Sequence, residues 1–381
     1  MIAHILDARP VWIKEFASAL SAVVPTIGWC PDVSNTGRIR DYEKETLLND
    51  PPLRVRSFPL QRGFAKFPVK MVAPETDRLV ERLIKASDDS HDAVLISCLP
   101  HYASVTEKWP GQVIYYATDL FVAYWDNARL INEFEERSCA AADLVCPNSR
   151  RVAEQLIREA HCDPAKVEII PNATRQGNVL ARPGRDFVVP ADMSELPRPV
   201  AGILGNLGSN TDWQLLAAVI DKTPWLSWVF VGPADSAIPD RAQQNARARV
   251  RQSQRVRFVG PKPYAELQSY ARAFDLAVLP YLKCEPTYSG SSTRFYEHLP
   301  AGRPMIATRG FAELLDKEPL LRLADSSDEM VAAIEELHAN EFRDGHEELR
   351  WQTSQSETWE ARAAAMMKAL DHQVARGKRA A

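Results

Sequence analysis

From its first residue the chain alternates short apolar, β-branched runs with stretches whose apolar positions recur every three or four residues. "AHILDA", a helical period from Trp12 to Val23, "DAVLISCLP", "QVIYYATD", a helical period from Asn127 to Ala142, "DLVCPN", a further helix and "VEIIPN" fill the first half. Strands that are apolar throughout are buried on both faces, so this alternation predicts a parallel sheet covered by helices on either side.

The period dissolves between Gln176 and Pro199, where four prolines interrupt "GNVLARPGRDFVVPADMSELPRP". It restarts with "PVAGILGNLG", a helix from Trp213, "LSWVFVGP", a helix near Ile238 to Gln252, "VRFVGP", a helix near Tyr264 to Ala273 and "DLAVLPYL". The end, "ETWEARAAAMMKALDHQVARGKRAA", reads as one long helix with a basic tail. The expected division is an α/β domain over 1–175, a linker over 176–198, a second α/β domain over 199–355, and a C-terminal helix over 356–381 that returns to the first domain. Open α/β sheets bind ligands at the carboxyl ends of their strands, so two such doubly wound, Rossmann-like domains are expected to face each other across a cleft.

Composition narrows the class. At 381 residues the chain suits two cores, and a formal net charge of -4 gives no general attraction to nucleic acid. The six cysteines (Cys30, Cys98, Cys139, Cys146, Cys162, Cys284) have no metal-ligand spacing, and nothing resembles a secretory leader or a membrane-spanning run. Reduced thiols in a cytoplasmic protein are expected, and the sequon at Asn172 then reads as a turn.

The most informative stretch is "SGSSTRFYEHLPAGRP", Ser289 to Pro304. Ser291, Ser292 and Thr293 are N-cap candidates for a helix from about Arg294 to Ala301, with Gly302 at its C-terminal cap. A helix start carries open N–H groups and partial positive charge, Arg294 adds a fork of donors, and both suit a diphosphate. Glu297 lies on the same face as Arg294 and can accept from ribose hydroxyls. An ordinary capping box with both charges solvated fits the same residues, and context must decide.

"GILGNLGSN", Gly202 to Asn210, is a Gly-rich turn between a strand and a helix, as phosphate-binding turns are. Its spacing is not that of a dinucleotide fingerprint. The chain has no P-loop, G-x-S-x-G, H-E-x-x-H or D-x-D pair, so no cofactor and no metal site is expected. Positive charge for a departing diphosphate would come from Arg294 and the helix start.

At these residues a resemblance enters. "GILGNLG", "WVFVGP", "VRFVGPKPYAELQSYARAFDLAVLPYL" and "STRFYEHLPAGRPMIAT" resemble the nucleotide-sugar domain of bacterial GT-B glycosyltransferases, the group that includes the family-4 enzymes. "AADLVCPNSRRVAEQL" and "VEIIPNAT" are similar to the same group, whereas the first hundred residues match only in general pattern. The resemblance implies that Arg294 pairs with the donor diphosphate, Glu297 contacts the ribose, and Gly205, Asn206, Gly208, Ser209, Ser292 and Thr293 approach phosphates or sugar. It places Val259, Lys262 and Tyr264 by the base and Tyr281 in the same pocket. The family-4 E-x7-E pattern is broken, because Ser289 stands eight residues before Glu297. "YYATDLFVAYW" instead resembles the strand end bearing the catalytic Asp of inverting exopolysaccharide glucuronosyltransferases, which makes Asp119 the candidate base.

The expected activity is transfer of a sugar from a nucleotide diphosphate donor, UDP favoured over GDP, to a saccharide or lipid-linked acceptor in cell-surface polysaccharide synthesis. Inversion at the anomeric carbon follows if Asp119 is the base. A GT-B-like epimerase or hydrolase, or a catalytically silent binder, is the rival. His101, in "CLPHY", is an acceptor candidate as well as an ordinary core histidine. Arg54 to Met71 interleaves five basic residues with Phe58, Phe64 and Phe67. It offers Arg62 and Lys66 to an acceptor or to the inner membrane's cytoplasmic face; a long solvated loop fits the same residues. Trp351 and Trp359 are expected to anchor the chain's end on the first domain.

Overall fold

The computed structural model describes residues 1–33, 44–60, 64, 69–125, 127–184 and 187–380, with side chains for all of these except 69–73 and 377–380. They form two compact units, Met1–Pro171 with Trp359–Ala381, and Asn172–Thr358.

The first unit is built on seven strands: β1 (Ile2–Leu6), β2 (Thr26–Val33), β3 (Lys44–Asn49), β4 (Pro52–Leu60), β5 (Ala93–Ser97), β6 (Gln112–Ala117) and β7 (Leu144–Pro147). Their order is β3-β4-β2-β1-β5-β6-β7, parallel except for the antiparallel β3. The central strands are mostly apolar and buried on both faces, with β5 buried at every position. Helix Val11–Ser21 turns Phe16 and Leu20 into the core. The last helix, Trp359–Ala380, packs on it, and the buried Trp359 ring meets Phe16 edge-on at 6.3 Å.

The second unit has β8 (Val200–Leu204), β9 (Ser227–Val231), β10 (Val256–Gly260), β11 (Leu276–Leu279), β12 (Met305–Ala307) and β13 (Arg322–Leu323), all parallel, in the order β10-β9-β8-β11-β12-β13. Trp213, Phe230 and Phe258 stack through its core, with ring centroids 5.7 Å and 4.6 Å apart along the row.

Four details differ from expectation. Part of the basic segment 54–71 is strand rather than loop: β4 pairs with β3, and Glu45 bridges Arg54 and Arg56 at the sheet edge. Phe58 and Phe64 are core residues, while Arg62 and Lys66 lie outside the described residues. "VEIIPN" contributes a single bridge, Val145 with Val167, because its turn follows at once. The proline-rich stretch 176–198 belongs to the second unit: Phe187, Val189, Met193 and Leu196 pack with Val200, Tyr270 and Phe274. Trp351 also belongs there, donating from Nε1 to Val179 O at 3.0 Å beneath the Arg182 guanidinium, so Trp359 alone of the two tryptophans anchors the first unit.

Candidate functional site

In the second sheet the winding reverses between β8 and β11, and the loops that follow these two strands meet at that reversal. The turn after β8 starts at Gly205, with φ +99, whose N–H donates to Val231 O at 2.9 Å. Behind it Gly232, with φ +138, leaves no room for a side chain, because a Cβ there would lie 2.0 Å from Gly205 O. Two glycines thus let two backbones touch and fix the turn's course. Asn206 and Ser209 are exposed on the turn and Gly208 is buried under it.

The Ser289–Pro304 stretch folds close to its reading. Helix Thr293–His298 runs into a 3-10 turn, Leu299–Ala301, and stops at Gly302 in the left-handed region. Ser292 is the N-cap, its Oγ accepting the Phe295 N–H at 3.3 Å. The Tyr281 hydroxyl lies 2.9 Å from the same Oγ.

Two residues to which the sequence assigns no part in this turn grip it. Glu313 accepts from Ser292 N–H at 2.7 Å, the Ser291 hydroxyl at 3.1 Å and the Tyr296 hydroxyl at 2.6 Å. Burial raises the Glu313 pKa, and these donors oppose the rise. Asn172 donates its N–H to Ser291 Oγ at 3.0 Å and its Nδ2 to Ser291 O and Thr293 Oγ1. The sequon asparagine is therefore an internal tie. The one signal for Glu313 was an acid inside the otherwise apolar "GFAELL".

Arg294 sits at the centre. It is 5% exposed, and its guanidinium lies over the Tyr281 ring at 4.7 Å. Nη2 donates to Asn206 O and, at 3.3 Å, to Thr211 Oγ1. Nη1 has no hydrogen-bond partner among the described residues, and no described carboxylate pairs with the charge. Burial consequently pulls the Arg294 pKa down. Its neighbour His298 is buried with neither ring nitrogen partnered among the described residues, and burial followed by the Arg294 charge lowers its pKa to about 3. The imidazole stays neutral, so it adds no positive charge beside Arg294.

Glu297 is also buried and accepts the Tyr264 hydroxyl, whose ring stacks under Arg175 at 5.0 Å. The other two residues expected by the base have partners of their own. Val259 packs with the Met193–Tyr270 cluster, and Lys262 pairs with Asp192 at 2.7 Å, because the stretch 176–198 covers that side of β10.

In the first unit the winding reverses between β1 and β5. Asp119 lies two residues past β6, and the Tyr124 hydroxyl donates to its Oδ1 at 3.3 Å. Burial raises the Asp119 pKa to about 7, with the tyrosine hydrogen bond opposing. His101 follows β5, 9% exposed and 4.6 Å from the Tyr102 ring. Burial, and then Arg9, lower its pKa to about 3, so it is a neutral imidazole. The six cysteines are free thiols, and no cluster of three or more potential metal ligands occurs among the described residues. No described helix is long and apolar enough to cross a membrane.

No protein-family model matches the chain. A Bacillus subtilis (strain 168) protein, provisionally named a teichuronic acid biosynthesis glycosyltransferase, is 20% identical over 403 residues, covering 96% of each chain. Among solved structures, a sucrose-phosphate synthase from Thermosynechococcus elongatus superposes with a TM-score of 0.69 at 17% identity, over 98% of this chain and 99% of its own. The E. coli trehalose-6-phosphate structure bound with UDP-2-fluoro glucose gives 0.71 at 10% identity, over 97% and 99%. Anabaena HepE in complex with UDP and glucose gives 0.62 at 15% identity, over 100% and 99%. With two parallel, doubly wound α/β units matched from end to end by these proteins, the chain has the GT-B fold of glycosyltransferases.

Proposed function

We propose that the chain is a glycosyltransferase that moves a sugar from a nucleotide diphosphate sugar, UDP favoured, to a hydroxyl of a saccharide or lipid-linked acceptor in cell-surface polysaccharide synthesis. One observation carries this reading: Arg294, buried beside a glycine turn, keeps an unpartnered Nη1 and no counter-charge among the described residues. A buried charge without a partner is costly, and an arriving diphosphate relieves that cost. UDP or a UDP sugar in two of the structural neighbours, and a polysaccharide role in the Bacillus protein's name, support the donor and pathway class.

In this reading Arg294, the turn from Gly205 to Ser209 and the helix start at Ser292 and Thr293 hold the diphosphate. Tyr281 braces Arg294 and the Ser292 cap, and Glu297, oriented by Tyr264, holds the ribose. The acceptor oxygen bonds to the anomeric carbon as its proton passes to the Asp119 carboxylate, and the bond to the diphosphate breaks with its electron pair leaving on phosphate oxygen. Attack opposite the leaving group inverts the anomeric centre. Arg294 and the helix start supply the charge stabilisation, so the reaction is metal-independent. Residence in the cytoplasm, with peripheral contact at the membrane, suits a lipid-linked acceptor.

Asp119→Asn tests the assignment, since a general base contributes about 100-fold or more. Transfer should fall at least that far while UDP binding by calorimetry stays unchanged. Transfer at the parent rate would remove Asp119 from the chemistry, and turnover of UDP sugar without any acceptor would favour the hydrolase or epimerase reading.

A further inference from the structure

Two of the six thiols meet. Cys139 lies on the buried face of the helix Ala128–Ala141, in its last turn, and Cys162 lies in the loop that follows the helix Arg150–Glu159. Each is 3% exposed, and the two thiols hydrogen-bond to each other. Both belong to one apolar cluster, with Ala142, Val145, Leu156 and Ala160.

The backbone brings them together. Leu156 O accepts from Ala160 N–H and again from Cys162 N–H, each at 3.1 Å, and His161 between them takes a left-handed conformation with φ +49. The chain therefore folds back over the end of its helix and sets Cys162 there. A second, independent tie joins the same two segments: Lys166 Nζ donates to Ala142 O at 2.8 Å. The loop is held from the other side by the C-terminal helix, whose Gln373 Nε2 donates to Ala165 O.

The two thiols are not equivalent. The hydrogen bond from Cys139, and then the Lys166 charge, lower the Cys162 pKa against the effect of burial. The same hydrogen bond, followed by burial, raises the pKa of Cys139. The thiolate is the nucleophilic form, so Cys162 is the sulfur that attacks and Cys139 the one that keeps its proton. Access favours the same order. His161, Asp163, Pro164 and Ala165 are exposed, so a single layer of loop covers Cys162, and opening a loop takes far less free energy than unfolding the unit.

We propose that Cys139 and Cys162 form a reversible disulfide site, closed by a peroxide, that staples the end of the helix Ala128–Ala141 to the loop after the helix Arg150–Glu159. The Cys162 thiolate attacks one peroxide oxygen, the O–O bond breaks, and hydroxide leaves, giving a sulfenic acid. Cys139 Sγ then bonds to Cys162 Sγ while the S–O bond breaks, and the Cys139 proton goes to the departing oxygen. Two thiols are oxidised by two electrons and the peroxide is reduced to water. Both helices run back from the edge of the sheet that carries Asp119, so the staple closes at the opposite edge and acts on the stability of the first unit. Nothing in this depends on the glycosyltransferase reading.

The test uses the full chain, reduced and freed of reductant, then treated with stoichiometric hydrogen peroxide. Thiol titration in denaturant should fall by two, and peptide mapping without reduction should find Cys139 joined to Cys162. Cross-linking over a chain segment of this length should raise Tm by about 5–10 °C, and dithiothreitol should reverse the gain. With the resolving sulfur removed in Cys139→Ser, dimedone should label Cys162; in Cys162→Ser, Cys139 should stay unlabelled. Thiols that all survive peroxide, a loss of thiols without the linked peptide, a disulfide to another cysteine, or a Tm that stays level or falls overturns the proposal. Labelling of Cys139 in place of Cys162 overturns the assigned order. The parent measurements need no variant, so a serine variant that failed to fold would leave the test intact.

Discussion

The two sheets reverse their winding in the same way and place one arginine at each reversal, yet the two arginines are treated oppositely. Arg9 is half exposed and tied to a buried carboxylate two residues away. Arg294 is 5% exposed and has no described carboxylate partner. Topology alone makes both edges concave and lined by helix starts. Electrostatics sets them apart: the second edge holds a buried charge that no described carboxylate compensates, and the first an arginine already paired with a buried acid.

The sharpest way to break the comparison is to collapse one edge and leave the other. At Gly232 a Cβ would strike Gly205 O at 2.0 Å in a backbone conformation that side chains avoid. Gly232→Ala should cost about 3 kcal/mol or more and lower Tm by about 10 °C. Scanning calorimetry would show it, and an unchanged Tm would mean that the Gly205 turn is not pinned from behind.

A smaller effect separates the edges by pH. Asp119 has its pKa raised from 3.8 to about 7 by burial, so the folded chain holds a proton that the unfolded chain has already released. Between about pH 4 and 7 the folded state therefore binds more protons, and its contribution to stability falls as pH rises through that window. If Asp119 is the base, it is ionised only above about pH 7. Transfer should climb about tenfold per unit up to that point and then level, while UDP binding at the other edge shows no such limb. A flat rate profile between pH 5 and 8 would contradict the assignment.

How much of this was legible follows from range along the chain. The Ser292 cap, the Gly302 stop and the alternation that builds both sheets depend on residues within a few positions of one another, and the sequence shows them directly. Trp359 was readable because an indole inside a long amphipathic helix must bury somewhere. Glu313 and Asn172 were not, since they meet the Ser291–Thr293 turn across 21 and 119 residues and no periodicity records such a tie. Val259 and Lys262 show what resemblance leaves out: their partners, the Met193–Tyr270 cluster and Asp192, are set by the stretch 176–198, which lies some 60–80 residues away along the chain. The left-handed Asp7 is invisible in "ILDARP", where nothing demands a positive φ.

The central claim is that Arg294 is kept for a ligand at the fold's expense, and thermal unfolding of Arg294→Met with and without UDP tests it most directly. A ligand that binds only the folded state raises Tm, whereas removing a buried, unpaired charge should cost the apo protein little, about 1 kcal/mol either way. The account predicts an apo Tm near or above the parent's and no shift with UDP. An apo protein destabilised by about 3–5 kcal/mol, as when a buried pair is broken, that still shifts with UDP would make Arg294 a structural residue and contradict the account.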